Sequence, residues 1–422
     1  MPLIASWVPG ANETSCGFPL NNLPCGVFGE PGARGRLCTA IGDSLLDLTG
    51  LAEAGLAPRL GTGPDPLRAD VWNEVMAAGP AAWAALRERL TALLAEGAEE
   101  QAAVARHLRP LAGAELRLPF RVAEFTDFYS GRHHALMASR LLRGPEATLP
   151  PAWDHMPIGY NGRASSVVVS GTPVPRPWGQ IRPDPGAGPL FAPSRRFDFE
   201  LELGAIVGQP TAGPVTVARA EAMIFGYVLL NDWSARDIQA WEYQPLGPFQ
   251  SKATATTISP WIVTAAALAP FRVAGPVPPV PLLPYLRPHA PLHPDIGLEV
   301  ALAPAGGAET VIARTSAAEL SYAAAQQLAH HTTSGCPMRV GDLLGSGTIS
   351  GPAATARGSL LELSQGGTAP LALPGGQART FLEDGDTVCL RGAAEGAGVR
   401  IGFGECHGRV LPAAPLPGDW PA

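Results

Sequence analysis

Glycine and proline interrupt this chain so often that most of it cannot run as long helix: they make up 49 and 45 of its 422 residues. Glycine adds backbone freedom and proline removes a hydrogen-bond donor, so such punctuation suits short strands joined by turns better than a helical bundle. The length also exceeds what one compact core supports, and two units are expected. Residues 1–118 read as a separate unit. In it Leu37–Leu48 forms two short strands around the turn Gly42-Asp43, and apolar residues recur at helical spacing over Val71–Gly79, Ala81–Leu94 and Glu99–Leu108. From residue 119 to 422 short strands dominate, with helices expected at Tyr129–Leu142 and after Asp232. Pro173–Pro193 reads as an ordered long loop and Ala267–Pro294 as a surface excursion. The expected class is mainly β, of the α+β kind.

Charge and cysteine usage remove several functions. A net charge of −7 argues against a nucleic-acid surface. The Ala/Leu-rich stretch Ala81–Ala95 carries Arg and Glu and is no membrane span. The start, Met1-Pro2-Leu3-Ile4, lacks a secretory signal. Cys16, Cys25, Cys38, Cys336, Cys389 and Cys406 form no CxxC pair, which suits free thiols in a reducing cytoplasm.

Chemistry-bearing residues gather in three places. Phe197–Leu203 alternates apolar and acidic residues, the mark of a strand with two faces. Glu200 and Glu202 then share a face about 7 Å apart, either as a solvated surface or as a grip on one hard cation. Met223–Leu230 reads as a buried strand ending at Asp232, where Asp232 or Ser234 is expected to cap the next helix. Arg236, Gln239 and Tyr243 follow on one helix face, which suits a polar, anionic ligand. The third place packs Asp127, Tyr129, His133 and His134 into eight residues, and one of these histidines could act as a general base. Gly345–Gly351 imitates a phosphate loop but lacks its Lys-Ser/Thr ending, so nucleotide binding is excluded. His330-His331 and Cys406-His407 read as structural.

Lysine usage isolates one further residue. Among 30 basic residues only Lys252 is lysine. Where arginine has replaced lysine almost everywhere, a surviving ammonium is a candidate for chemistry that a guanidinium cannot do.

Taken in order, these clusters resemble the fumarylacetoacetase family over about the whole chain. The matching strings are Phe125–Ser130 with His134-Ala135, Pro157–Tyr160, Gly162–Ser166, Glu200-Leu201-Glu202, Asn231–Gln239, Trp241–Tyr243, Pro245–Phe249, Thr256–Trp261, Gly341–Leu344 and Gly347–Pro352. Phe18-Pro19-Leu20 and Leu23-Pro24 extend the match to the start. The resemblance implies an N-terminal SH3-like barrel, a larger C-terminal mixed β-roll and a homodimer. It implies Ca²⁺ or Mg²⁺ held by Asp127, Glu200, Glu202 and Asp232, with a second cation near Asp232, Thr256 and the carbonyl of Lys252. His134 would activate water, oriented by Glu362, while Arg236, Gln239 and Lys252 meet developing negative charge. Tyr129, Arg143, Tyr160, Gln239, Tyr243 and Thr348 would contact the substrate.

The implied reaction is hydrolysis of a carbon–carbon bond in a small β-diketo dicarboxylate, 4-fumarylacetoacetate, in tyrosine and phenylalanine breakdown. His133 is a spectator on this reading, and the loops near 173–193 and 267–294 match poorly. Two alternatives keep or drop the chemistry: an acylpyruvate hydrolase, decarboxylase or hydratase on the same scaffold, or an inactive metal-binding scaffold. The Asp127–His134 segment and the N-terminal unit favour the hydrolase.

Overall fold

The computed structural model describes residues 2–418 apart from 31 and 185. Its first unit is a four-stranded antiparallel sheet in sequence order: Cys25–Phe28, Arg36–Ile41, Ser44–Asp47 and Leu108–Pro110. The hairpin around Gly42-Asp43 lies where the alternation put it. Helix Pro80–Leu94 starts with proline in its first turn, where no amide donor is missed, and buries Leu86, Leu90, Leu93 and Leu94 along one stripe. The other two helical segments are shorter than their patterns, at Asn73–Ala77 and Gln101–Val104.

The second unit is built on a curled, mixed sheet. Along its main path the strands are ordered Gly159–Asn161, Phe125–Phe128, Leu343–Gly345, Leu201–Val207, Ile224–Asp232, Thr256–Ile258 and Val167–Val169. Two of these pairings are parallel, Leu343–Gly345 with Phe125–Phe128 and Thr256–Ile258 with Val167–Val169. Register brings Asp127 opposite Tyr160 and Gly345, and Asp232 opposite Thr256. Glu202 pairs with Leu230, two residues from Asp232. All these polar residues therefore gather at one end of the sheet. A five-stranded sheet, which includes Gly297–Ala303, Thr310–Ser316, Thr387–Gly396 and Val399–Leu411, packs over it. Phe199, Leu201, Leu229, Trp233, Leu298, Leu390 and Phe403 fill the space between.

A second apolar core ties the first unit to the large sheet. Leu37, Leu46 and Leu90 pack in one cluster with Ile206, Val228 and Leu230. Gly26 lets the small sheet lie against Trp261, since a Cβ there would stand 2.3 Å from the indole. Cys25 and Ile262 exchange backbone hydrogen bonds of 2.8 Å across the same contact.

Four expectations need correction. The strand Phe197–Leu203 is broken: Phe197–Asp198 pairs with Ser234–Ala235, and pairing resumes only at Leu201. In the break the Glu200 amide donates to the side chain of Asn231 at 3.1 Å in place of a ladder partner. The helix expected from Tyr129 begins at Arg132, because the amides of Tyr129 and Ser130 are bound to the carbonyls of Ile158 and Ser346. Neither Asp232 nor Ser234 caps the next helix, Arg236–Glu242; its N-cap is Ala235 and makes no side-chain bond. The loop Pro173–Pro193 contains the hairpin Trp178–Ile181 with Leu190–Pro193, and Ala267–Pro294 contains the pair Arg272–Val273 with His293–Pro294. Among the described residues no helix is long and apolar enough to cross a membrane. All six cysteines are free.

Candidate active site

The polar end of the large sheet opens into a cavity of about 420 Å³. Its wall includes Asp127, Tyr129, His134, Arg143, Tyr160, Glu200, Glu202, Arg236, Gln239, Tyr243, Lys252 and Thr348, so nearly every residue singled out from the sequence faces one space. Asp232 and Glu362 stand behind it, bonded to the wall residues Lys252 and His134, and Thr256 lies one step further back, bonded to Asp232.

His134 lies on the buried stripe of helix Arg132–Arg143, together with Ala135, Ala138 and Ser139. Its Nδ1 is 2.7 Å from Glu362 Oε2, and that oxygen also accepts from Ser350 and Ser359 at 2.9 Å each. Burial pushes the Glu362 carboxyl up, but His134 and the two serines outweigh it and hold it below the usual range. A carboxylate on Nδ1 fixes the tautomer and leaves Nε2 as a lone-pair acceptor on the cavity side. His133, next along the helix, turns outward to Glu319 at 3.6 Å.

The acids divide into two sets. Asp127, Glu202 and Asp232 offer oxygens that all lie within 4.8 Å of one another, each residue buried. Glu200 is not in this group; its oxygens are held by Arg236 Nη1 at 2.6 Å and by the Lys252 ammonium. Lys252 also donates to Asp232 at 2.6 Å. Tyr160 donates to Asp127 at 2.8 Å, with Asp232 at 3.3 Å, and Thr256 donates to Asp232 at 3.2 Å. Burial works against the charge of Glu200, yet Lys252, Arg236 and His134 hold its carboxyl well below the usual range. Burial and mutual repulsion push Asp127 and Glu202 the other way, well above theirs. Lys252 is also desolvated, but Asp232 and Glu200 keep it protonated.

Comparisons with known proteins identify the family. Residues 124–411 match the fumarylacetoacetate hydrolase C-terminal family and residues 21–119 the fumarylacetoacetase N-terminal family. The fumarylacetoacetase of Caenorhabditis elegans is 47% identical, covering 94% of this chain and 97% of the relative. That of Bos taurus is 45% identical, covering 97% and 99%.

The chain belongs to the fumarylacetoacetase family.

A solved fumarylacetoacetate hydrolase from psychrophilic Exiguobacterium antarcticum has the same fold, with a TM-score of 0.53 at 16% identity, covering 92% of this chain and 99% of that one.

The donor set of this fumarylacetoacetase-family site fits a hard metal ion. Asp127 Oδ1 and Glu202 Oε1 are buried with no hydrogen-bond partner among the described residues. Buried anionic oxygens left unpaired are costly unless a cation completes them. Gly345 makes room for the pair, since a Cβ there would stand 2.6 Å from Asp127 Oδ1 and 3.1 Å from Glu202 Oε2. Gly347, at φ +78°, turns its amide onto Glu202 at 3.0 Å.

Three supporting groups carry no mark of their role in the sequence. Asp198, fully buried, accepts from Arg236 Nε at 2.8 Å and from the amides of Leu360 and Leu361 at 2.8 and 3.0 Å. It thereby ties the guanidinium to the turn that carries Glu362. Ser350 and Ser359 hold Glu362 itself. Asp198 was in view as the third acid of the alternating string; nothing local marked the serines, whose partner is assembled by the fold. Arg143, one of the expected substrate contacts, is exposed at the rim and donates to Ser139 and Thr148 at 2.8 Å each.

Proposed function

We propose that the protein hydrolyses 4-fumarylacetoacetate to fumarate and acetoacetate, in the breakdown of tyrosine and phenylalanine. The observation that carries this reading is that His134, paired with buried Glu362, shares one cavity wall with Asp127 and Glu202, which converge with Asp232 behind them. An oxygen-only donor set favours Ca²⁺ or Mg²⁺ over soft metals. Asp127, Glu202 and Asp232 would hold the ion, with Glu200 as the fourth carboxylate that the family pattern adds. When bound, the cation supplies a Lewis acid for the diketone oxygens.

The chain's own residues supply the rest. His134 takes a proton from water at Nε2, while Glu362 keeps the ring oriented and stabilises its charged form. Hydroxide adds to the fumaryl-side carbonyl, and the carbon–carbon bond breaks with its electron pair leaving as the enolate of acetoacetate. Lys252 and Gln239 meet that negative charge. Uptake of a proton by that enolate, balancing the one taken up by His134, completes acetoacetate and restores the neutral imidazole. Arg236 contributes a donor already in place, since its Nη2 is buried with no partner among the described residues. Arg143, Tyr129, Tyr160, Tyr243 and Thr348 position the two carboxylate-ended arms. Free thiols suit a cytoplasmic location. A homodimer would cover the exposed Leu246 and Phe249 near the cavity mouth.

The test is turnover by purified protein of fumarylacetoacetate against acylpyruvates. Faster cleavage of fumarylacetoacetate is expected. Preference for acylpyruvates, or turnover of neither, would contradict the assignment.

A further inference from the structure

A second cavity lies where the N-terminal unit meets the large sheet, and nothing in the proposed reaction uses it. It is a cleft of about 450 Å³, within the size range of small-molecule sites. Trp72, Trp83 and Phe225 form its aromatic wall, with Trp83 edge-on to Phe225 at 5.0 Å between ring centroids. Both indole N–H groups are already bonded to backbone carbonyls, so the rings offer only apolar surface to a guest.

Two polar groups in this wall lack their natural partners. Arg87 stands one helical turn from Trp83 on the same face of helix Pro80–Leu94. Its guanidinium donates only to backbone carbonyls, that of Asn22 at 2.8 Å and that of Asn21, and has no ion-pair partner among the described residues. The neighbouring thiol of Cys25 cannot serve as its counterion, because burial pushes that thiol far above its ordinary range. Thr39, 1% exposed, has a hydroxyl with no hydrogen-bond partner among the described residues. The one carboxylate in the wall, Glu221, is occupied by Arg272 and by His289 at 3.0 Å. The cleft thus combines aromatic surface with an uncompensated positive charge and a spare hydroxyl.

We propose that this cleft binds a small aromatic monocarboxylate, its ring against Trp83 and Phe225 and its carboxylate on Arg87. An aromatic guest gains from edge and offset ring contacts, and a carboxylate gains from paired guanidinium donors. The site is separate from the catalytic cavity, whose wall contains no tryptophan.

The test is tryptophan fluorescence of the full-length protein titrated with 3-phenylpropanoate and, in parallel, with its uncharged amide. Saturable quenching by the acid is expected, with the amide at least tenfold weaker. Arg87→Leu should weaken the acid at least tenfold and leave the amide unchanged. Ala222→Phe, at an exposed position of the cleft wall, should abolish quenching by both, and keeps the test decisive if the arginine variant fails to fold. Absence of quenching, equal binding of acid and amide, or binding by Ala222→Phe as tight as by the parent protein would overturn the proposal.

Discussion

Lys252 shows how much one residue can carry. Its ammonium sits between Glu200 and Asp232 and binds both. A guanidinium is wider and disperses its charge over a plane, so it cannot take that place without displacing a carboxylate. Lys252→Arg is expected to cut turnover at least tenfold, or about 1.4 kcal/mol of barrier. Steady-state kinetics at saturating metal measures this; near-normal turnover would mean that charge alone matters. His134→Ala should lose roughly 10²–10⁴-fold in turnover while the fold persists, because positioned proton transfer supplies about that much. His133→Ala should be mild, and a reversal of the two effects would show that the wrong histidine was chosen. At this scale the sequence was informative wherever a residue type was unusual, as with the single lysine or the paired histidines. It was silent on Ser350 and Ser359, common residues that matter only because the fold brings them to Glu362.

Among the elements, the turn before Lys252 depends on Glu242, the last residue of helix Arg236–Glu242. The Glu242 carboxylate accepts the amides of Phe249, Gln250 and Ser251 at 2.8, 3.0 and 2.8 Å. Three bonds to one carboxylate fix the short helix Gln250–Lys252 and so aim the ammonium. Glu242→Gln replaces one acceptor by a donor facing an amide N–H, a mismatch worth about 1–3 kcal/mol. We expect kcat to fall several-fold with a smaller change in KM, read from steady-state kinetics; unchanged kcat would show that Lys252 is held by its own ion pairs. Elements were legible where their pattern was long, as in helix Pro80–Leu94 or strand Ile224–Asp232. They were misread where distant backbone decided the pairing. The alternation at Phe197–Leu203 continues straight through a break that Asn231, on the neighbouring strand, makes possible.

Across the whole molecule, burial sets an acid limit on stability. His293 is buried, its Nε2 lacks a partner among the described residues, and Gly275 packs directly on its ring. Burial outweighs its hydrogen bond to the Leu320 backbone and lowers its pKa to about 4. Between there and the unfolded value near 6.5 the unfolded chain binds the extra proton, so stability falls as pH drops through this window. The linked loss is on the order of 3 kcal/mol. Denaturant melts from pH 7 to pH 4 should show it, and His293→Asn should flatten the slope; an equal slope in the variant would assign the loss to other groups. The two-unit organisation was legible from length and turn density, whereas the apolar core joining the units was not, because its contacts are far apart in sequence.

Three converged carboxylates would hold a cation on which both fold and reaction depend. Without it, buried like charges repel, and a ligand that binds only the folded state stabilises it. The most direct measurement follows fumarylacetoacetate turnover and melting temperature together in exhaustively chelated protein, before and after adding Mg²⁺ or Ca²⁺. Turnover should vanish on chelation, the melting temperature should fall, and both should return with the metal. Full turnover by the metal-free protein would contradict the account.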